Sequence, residues 1–329
     1  MTKEEEKAFS EFKELERREI HSPVIFQGPG TPLKAPLFDP DRTRKLMDGA
    51  IDVHIHGAPD AYSPRTGDEL EFAIQACQAG MGAVVFKSAS EGGSRTAWLV
   101  QKVVNQWADE HNKRRIDVFG GVVLNYAVGG LNPEAVLVSA RLGGRYVWMP
   151  NVDASYQYKF WDKPGGIDVL DEKGNMVPIL KSIFSLIAEG DMVLGICHQT
   201  VKERFVLIDE AKKAGIKRIE IVHANSPVPH GMTVEEQKIA AEKGAYVGLY
   251  CFGLRVPLFD MDLALKVIKV VGPDHLVVGT DLGNIGEVMP VDAMRTFITR
   301  LLVAGIPDED VEKMVKTNAR TLLYEEVRL

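Results

Sequence analysis

The chain has 329 residues, 45% hydrophobic and 26% charged, an ordinary globular composition with enough material for a large buried core. A formal net charge of −7 without a long basic block argues against a nucleic-acid partner, and no apolar stretch approaches the ~20 residues of a membrane helix. The charged N-terminus lacks the apolar region of a secretion signal, and three cysteines without a CxxC pair offer no disulfide framework, so a cytoplasmic protein with reduced thiols is expected.

Residues 2–21 read as a polar Glu- and Lys-rich helix, and 22–48 as a Pro- and Gly-rich wrapping segment, so 1–49 is expected to be an N-terminal appendage. It can pack on a neighbouring subunit, making a homo-oligomer, or on its own chain. From residue 50 short β-branched runs alternate with amphipathic stretches. Strands are predicted at 50–56, 82–87, 117–124, 144–149, 191–198, 218–223, 245–251 and 275–281. Helices are predicted at 67–79, 94–111, 133–142, 178–189, 201–214, 233–243, 260–271 and 290–304, with a final helix pair at about 307–325. Eight strands alternating with eight helices predict an α/β fold, a (β/α)8 TIM barrel over residues 50–329. An open doubly wound sheet is the alternative, but no Gly-rich phosphate fingerprint follows the first strand. Two connections are long: 150–177, with Tyr156, Tyr158, Phe160, Trp161 and a predicted hairpin at Asp171–Asn175, and 224–232, with His230.

Barrel enzymes build their sites at the C-terminal strand ends. The first run ends in His54-Ile55-His56, and alternation puts the two imidazoles on one face, with Val53 and Ile55 toward the helices. Neutral imidazoles at a strand end are natural ligands for a divalent metal. Three later runs end in His198, His223 and Asp281. Parity groups His198 with Leu194 and Ile196, His223 with Ile219 and Ile221, and Asp281 with Val277 and Gly279. Cys197 then faces the helix layer. A single strand-terminal His is usually structural; this set together is not.

On these residues the chain resembles the amidohydrolase superfamily over about 50–325. That group carries HxH after strand one, His after strands five and six, Asp after strand eight, and an Asn-containing terminal helix like Val315–Leu323 here. The resemblance implies one or two divalent ions, zinc first, with Mn, Fe, Co or Ni as alternatives. His54, His56 and Asp281 would hold the more buried one, and His198 and His223 a second ion. With one ion, His198 would be a ligand and His223 would contact substrate or water. Asp281 would take a proton from the water the cation activates and pass it to the leaving group. Many relatives also place a bridging Lys or Glu after strand four. Here that run ends Met149-Pro150-Asn151, and Lys87 instead ends run two, on the face of Ala83 and Val85.

Three readings of Lys87 stay open: a carboxylated bridge between two metals, an ammonium binding a substrate carboxylate or oxyanion, or a structural ion-pair partner. Arg65, Arg95 and Arg255 sit in loops near the predicted mouth and are candidates to clamp an anionic small-molecule substrate, with Tyr156 as an aromatic contact. Each arginine can equally be an ordinary solvated side chain. His230, His111 and His275 read as structural or surface residues. The expected function is a metal-dependent hydrolase of an amide, lactam, lactone or related bond. A mononuclear decarboxylase of the same superfamily is the alternative, and a binding protein that has kept the fold is a third.

Overall fold

The computed structural model describes residues 39–226, 231–251 and 261–324. Its contacts divide the chain into residues 1–39 and 40–329, and all that follows belongs to the second unit. The predicted helix at 2–21 lies outside the described residues, as do His230 and Arg255. Residues read as the end of the wrapping segment form a helix, α1 (Pro40–Met47), buried through Thr43, Leu46 and Met47.

The predicted strands are present, shortened at their ends: β1 (Ile51–Ile55), β2 (Ala83–Phe86), β3 (Asp117–Phe119), β4 (Gly121–Val123), β5 (Tyr146–Trp148), β6 (Val193–Ile196), β7 (Arg218–Ile221), β8 (Tyr246–Tyr250) and β9 (Leu276–Gly279). All pair in parallel, in the order β1-β2-β3 and β4-β5-β6-β7-β8-β9. One predicted run became two strands because Gly120 interrupts it. A Cβ there would lie 2.6 Å from the Gly93 carbonyl, and one at Gly121 only 2.1 Å from the Tyr146 carbonyl. Glycine lets the next helix and the next strand approach.

The other seam joins β9 to β1. Asp281 N donates to His54 O at 2.8 Å and His56 N to Leu282 O at 2.9 Å. Buried Asp52 clamps the same seam, accepting from Thr280 N (2.9 Å), Thr280 Oγ1 (2.6 Å) and His54 N (3.1 Å). With β3 running into β4, these bonds bring the ends of both sheets together in a (β/α)8 barrel.

Between the strands lie the predicted helices: α2 (Glu69–Gln78), α3 (Ser94–Glu110), α4 (Pro133–Arg141), α6 (Ile179–Glu189), α7 (Val201–Lys213), α8 (Val234–Glu242), α9 (Met261–Val271) and α10 (Pro290–Val303). A short helix in the long loop, α5 (Ser155–Phe160), was not predicted. Capping boxes fix three starts, Asp68/Glu71, Thr200/Glu203 and Thr233/Glu236. The predicted hairpin appears as a turn, with Asp171 N bonded to Asn175 O at 2.7 Å and Leu170 bridging Met176. The final helices α11 (Asp308–Glu312) and α12 (Asn318–Leu323) are joined through a π turn at Lys313–Thr317.

One apolar layer lies between strands and helices, including Val84, Phe86, Leu194, Ile196, Ile219 and Ile221. A second fills the barrel, where Ile51, Val53, Ala83, Val85, Val193 and Val277 cluster with Ala319, Leu322 and Leu323 of α12. The C-terminal helix therefore plugs the floor. Asn318 Nδ2 donates to the Pro273 and Leu276 carbonyls at 2.7 Å each, fixing α12 to the start of β9. Arg218 holds the Tyr324 carbonyl at 2.7 Å from the start of β7.

These layers correct three facings expected from alternation. Val53 points inward with Ile51, because the register of β1 shifts between Asp52 and Ile55. Cys197 also belongs to the inner cluster, and the residues sharing parity with His198 and His223 belong to the outer one.

Candidate metal centre

At the mouth, four strand-end residues converge. His54 Nε2 lies 3.2 Å from His56 Nε2 and 3.3 Å from Asp281 Oδ1; His56 Nε2 lies 3.1 Å from that same oxygen. His223 Nε2 is 3.7 Å from Asp281 Oδ2, and donor atoms of His54, His223 and Asp281 all lie within 4.8 Å of one another. The His198 ring stands edge-on to that of His223, centroids 5.1 Å apart.

His223 and Asp281 arrive by an unusual backbone. Their φ angles are +63° and +55°, in the left-handed region that residues other than glycine enter at a cost. The turn after Ile221 swings the His223 imidazole into the mouth although Ile219 and Ile221 face the helices. Gly283, at φ +131°, lies so close to the His56 carbonyl that a Cβ would collide with it. The seam hydrogen bonds hold Asp281 and Gly283 in place, and Ser226 N, donating to His223 O at 3.0 Å, closes the turn at His223.

The donor set fits a divalent cation. His54 is buried, and desolvation, then the Lys87 charge, hold its pKa well below the ordinary histidine value, so the ring is neutral. Its Nδ1 lies 3.3 Å from the Tyr250 hydroxyl, whose own proton goes to Glu220. His54 Nδ1–H is then the donor and Nε2 carries the lone pair. That lone pair faces a carboxylate oxygen, an arrangement that a cation between them relieves. Separations of 3.1, 3.2 and 3.3 Å also match the edge of about 3.3 Å of a tetrahedron with ~2.0–2.1 Å bonds.

Beneath this set lies a buried polar network that strand-end reasoning missed. Glu220 accepts from Tyr146 (2.8 Å) and from Tyr250, and burial raises its pKa to about 7. Burial likewise raises Asp52 to about 7. Glu220 lies inside β7 and Tyr250 closes β8, on strands of a parallel sheet buried on both faces, where periodicity carries little signal.

A cavity of about 420 Å³ opens above the centre, lined in part by His56, Arg65, Lys87, His198, His223 and Asp281. The floor and rim separate the remaining candidates. Lys87 is buried in the wall, its Nζ 3.8 Å from Cys197 Sγ and 5.7 Å from the Trp148 ring centroid. Arg65 is held by Asp60 at 2.7 Å and by the Asn284 side chain. Arg95 does not line this cavity; it lies on α3 beside Trp98 and Arg141, at a separate cleft. Tyr156 does not line it either. Gln157, Phe160 and Trp161 do, the i, i+3 and i+4 positions of α5 and its C-cap, so α5 turns Tyr156 elsewhere.

A family model described as a family of unknown function, DUF6282, matches residues 49–248, well over half of the chain. The chain belongs to DUF6282. No curated protein matches it significantly. Among solved structures, this DUF6282 member is similar to an amidohydrolase from Pseudomonas aeruginosa, with 14% identity and a TM-score of 0.60 over 86% of this chain and 98% of that one. It is also similar to the probable dipeptidase PvdM of the same organism, with 12% identity and a TM-score of 0.61 over 86% and 97%. A third is an amidohydrolase from Burkholderia multivorans with bound zinc, with 13% identity and a TM-score of 0.51 over 83% and 98%. At such identities the likeness is one of fold, and the DUF6282 chain has the amidohydrolase fold.

Proposed function

We propose that this protein is a metal-dependent hydrolase of a small molecule, cleaving an amide, lactam, lactone or related bond. The observation that carries the reading is the convergence of His54, His56, His223 and Asp281 at one point of the barrel mouth. The hydrolase names and the bound zinc of the similar structures support it.

His54, His56 and Asp281 would hold the cation, with His223 completing the set and His198 beside it. When bound, such an ion activates water and polarises a carbonyl. Asp281, with one carboxylate oxygen toward His54 and His56 and the other toward His223, is placed to take a proton and return it to the leaving group. His198 faces the cavity and would orient the substrate oxygen. Arg65, already paired with Asp60, would shape the rim. The helix α5 narrows access and reduces competing solvent.

Zinc-loaded protein should hydrolyse at least one member of a panel of small amides, lactams and lactones, and chelation should abolish it. Asp281→Asn should lower that turnover by about 100-fold or more while the fold is retained. Full activity in that variant would reject the shuttle role. Release of CO2 from aromatic or enol acids, without hydrolysis of any panel member, would favour the decarboxylase reading.

A further inference from the structure

We infer that the substrate carries a carboxylate and that Lys87 is its anchor. This rests on the reading above for where the reacting bond lies, but not for the charge of Lys87. Lys87 is 2% exposed yet lines the cavity. Among the described residues no carboxylate oxygen lies within 4 Å of its Nζ. Its Nζ donates to the Cys197 thiol at 3.8 Å. Glu220 is engaged by two tyrosine hydroxyls below. The Lys87 charge lowers the Glu220 pKa from beyond contact distance, but an ammonium removed from water without a contacting counter-ion is unfavourable, and an anion entering the cavity supplies one.

The rest of the wall agrees in sign. Asp281 is the one acidic side chain lining the cavity among the described residues, whereas Lys87 and Arg65 both line it. Arg65 is already matched by Asp60, so the excess positive charge belongs to Lys87, and a bound dication would add to it. Phe160 and Trp161, half exposed at the rim, offer flat apolar surface, and the volume suits a single-ring molecule. Gln157 Oε1 is buried in the same wall without a hydrogen-bond partner and would accept from a donor on that molecule. A small aromatic or cyclic carboxylic acid derivative is the ligand class these groups select.

Benzoate and benzamide share a shape and differ in charge, so calorimetric binding of the two to metal-free protein reads the anchor directly. Benzoate should bind about tenfold more tightly than benzamide, and Lys87→Met should remove that preference. Gln157→Leu should preserve it, since benzoate carries no donor. Equal or undetectable binding of both probes to the natural protein overturns the inference. So does a benzoate preference that survives in folded Lys87→Met, or a lysine carbamate resonance in ¹³C-bicarbonate. Failure of the metal reading would show separately, as absence of zinc uptake with the benzoate preference intact.

Discussion

At the floor of the barrel, Leu322 and Leu323 meet Ile51, Val53, Val193 and Val277; at the mouth, β1, β2, β6, β7 and β9 lead into His54, Lys87, His198, His223 and Asp281. The floor uses regular strand geometry and apolar burial. The mouth uses left-handed residues, a shifted register in β1, and buried carboxyls whose ionised forms are disfavoured. The contrast teaches that stability and chemistry are segregated along the barrel axis. Substitutions at one end should therefore leave the other nearly unchanged.

The strongest way to break that separation is at the floor. Leu323→Ala should cost about 3 kcal/mol in urea unfolding while zinc affinity stays within about twofold. A parallel loss of affinity would show that floor and mouth are coupled. Next in size, Tyr250→Phe removes the hydroxyl that orients His54 and should lower zinc affinity about tenfold in a competition titration, with a stability loss of about 1–3 kcal/mol from the buried partners it leaves behind. Unchanged affinity would remove Tyr250 from the metal site's support.

A smaller effect is expected in the pH dependence of the metal-free protein. Glu220 keeps its proton in the fold up to about pH 7, whereas an unfolded glutamate loses it near the ordinary value of 4.5. The folded state thus binds more protons between those values, and stability falls as pH rises through that window. Glu220→Gln should flatten the fall by roughly 1 kcal/mol between pH 5 and 6 in thermal melts. An unchanged slope would place the titration elsewhere, with Asp52 the next candidate.

Much of this was legible because ligand-type residues end hydrophobic runs, and a run's end survives any local twist. The facing of those residues was less legible. Alternation assumes extended backbone, which fails at His223, at Asp281 and within β1, where Val53 points inward against expectation; Cys197 follows Val193 inward, so on β6 it is His198 that departs from the alternation. The α5 contacts were readable in principle, since Gln157, Phe160 and Trp161 have helical spacing, but the segment reads as loop unless its six-residue helix is recognised. The seam clamp between Asp52 and Thr280 joins residues 228 positions apart, a pairing that only barrel closure brings about.

The most direct test of the central claim is a zinc titration of chelator-treated protein, followed by metal analysis of the product. Natural protein should take up zinc tightly at the mouth, and His54→Ala, which removes the most buried donor, should weaken that uptake by several hundredfold, roughly 3–4 kcal/mol. Natural protein that takes up no divalent ion, or a His54→Ala variant that binds equally well, would contradict the account.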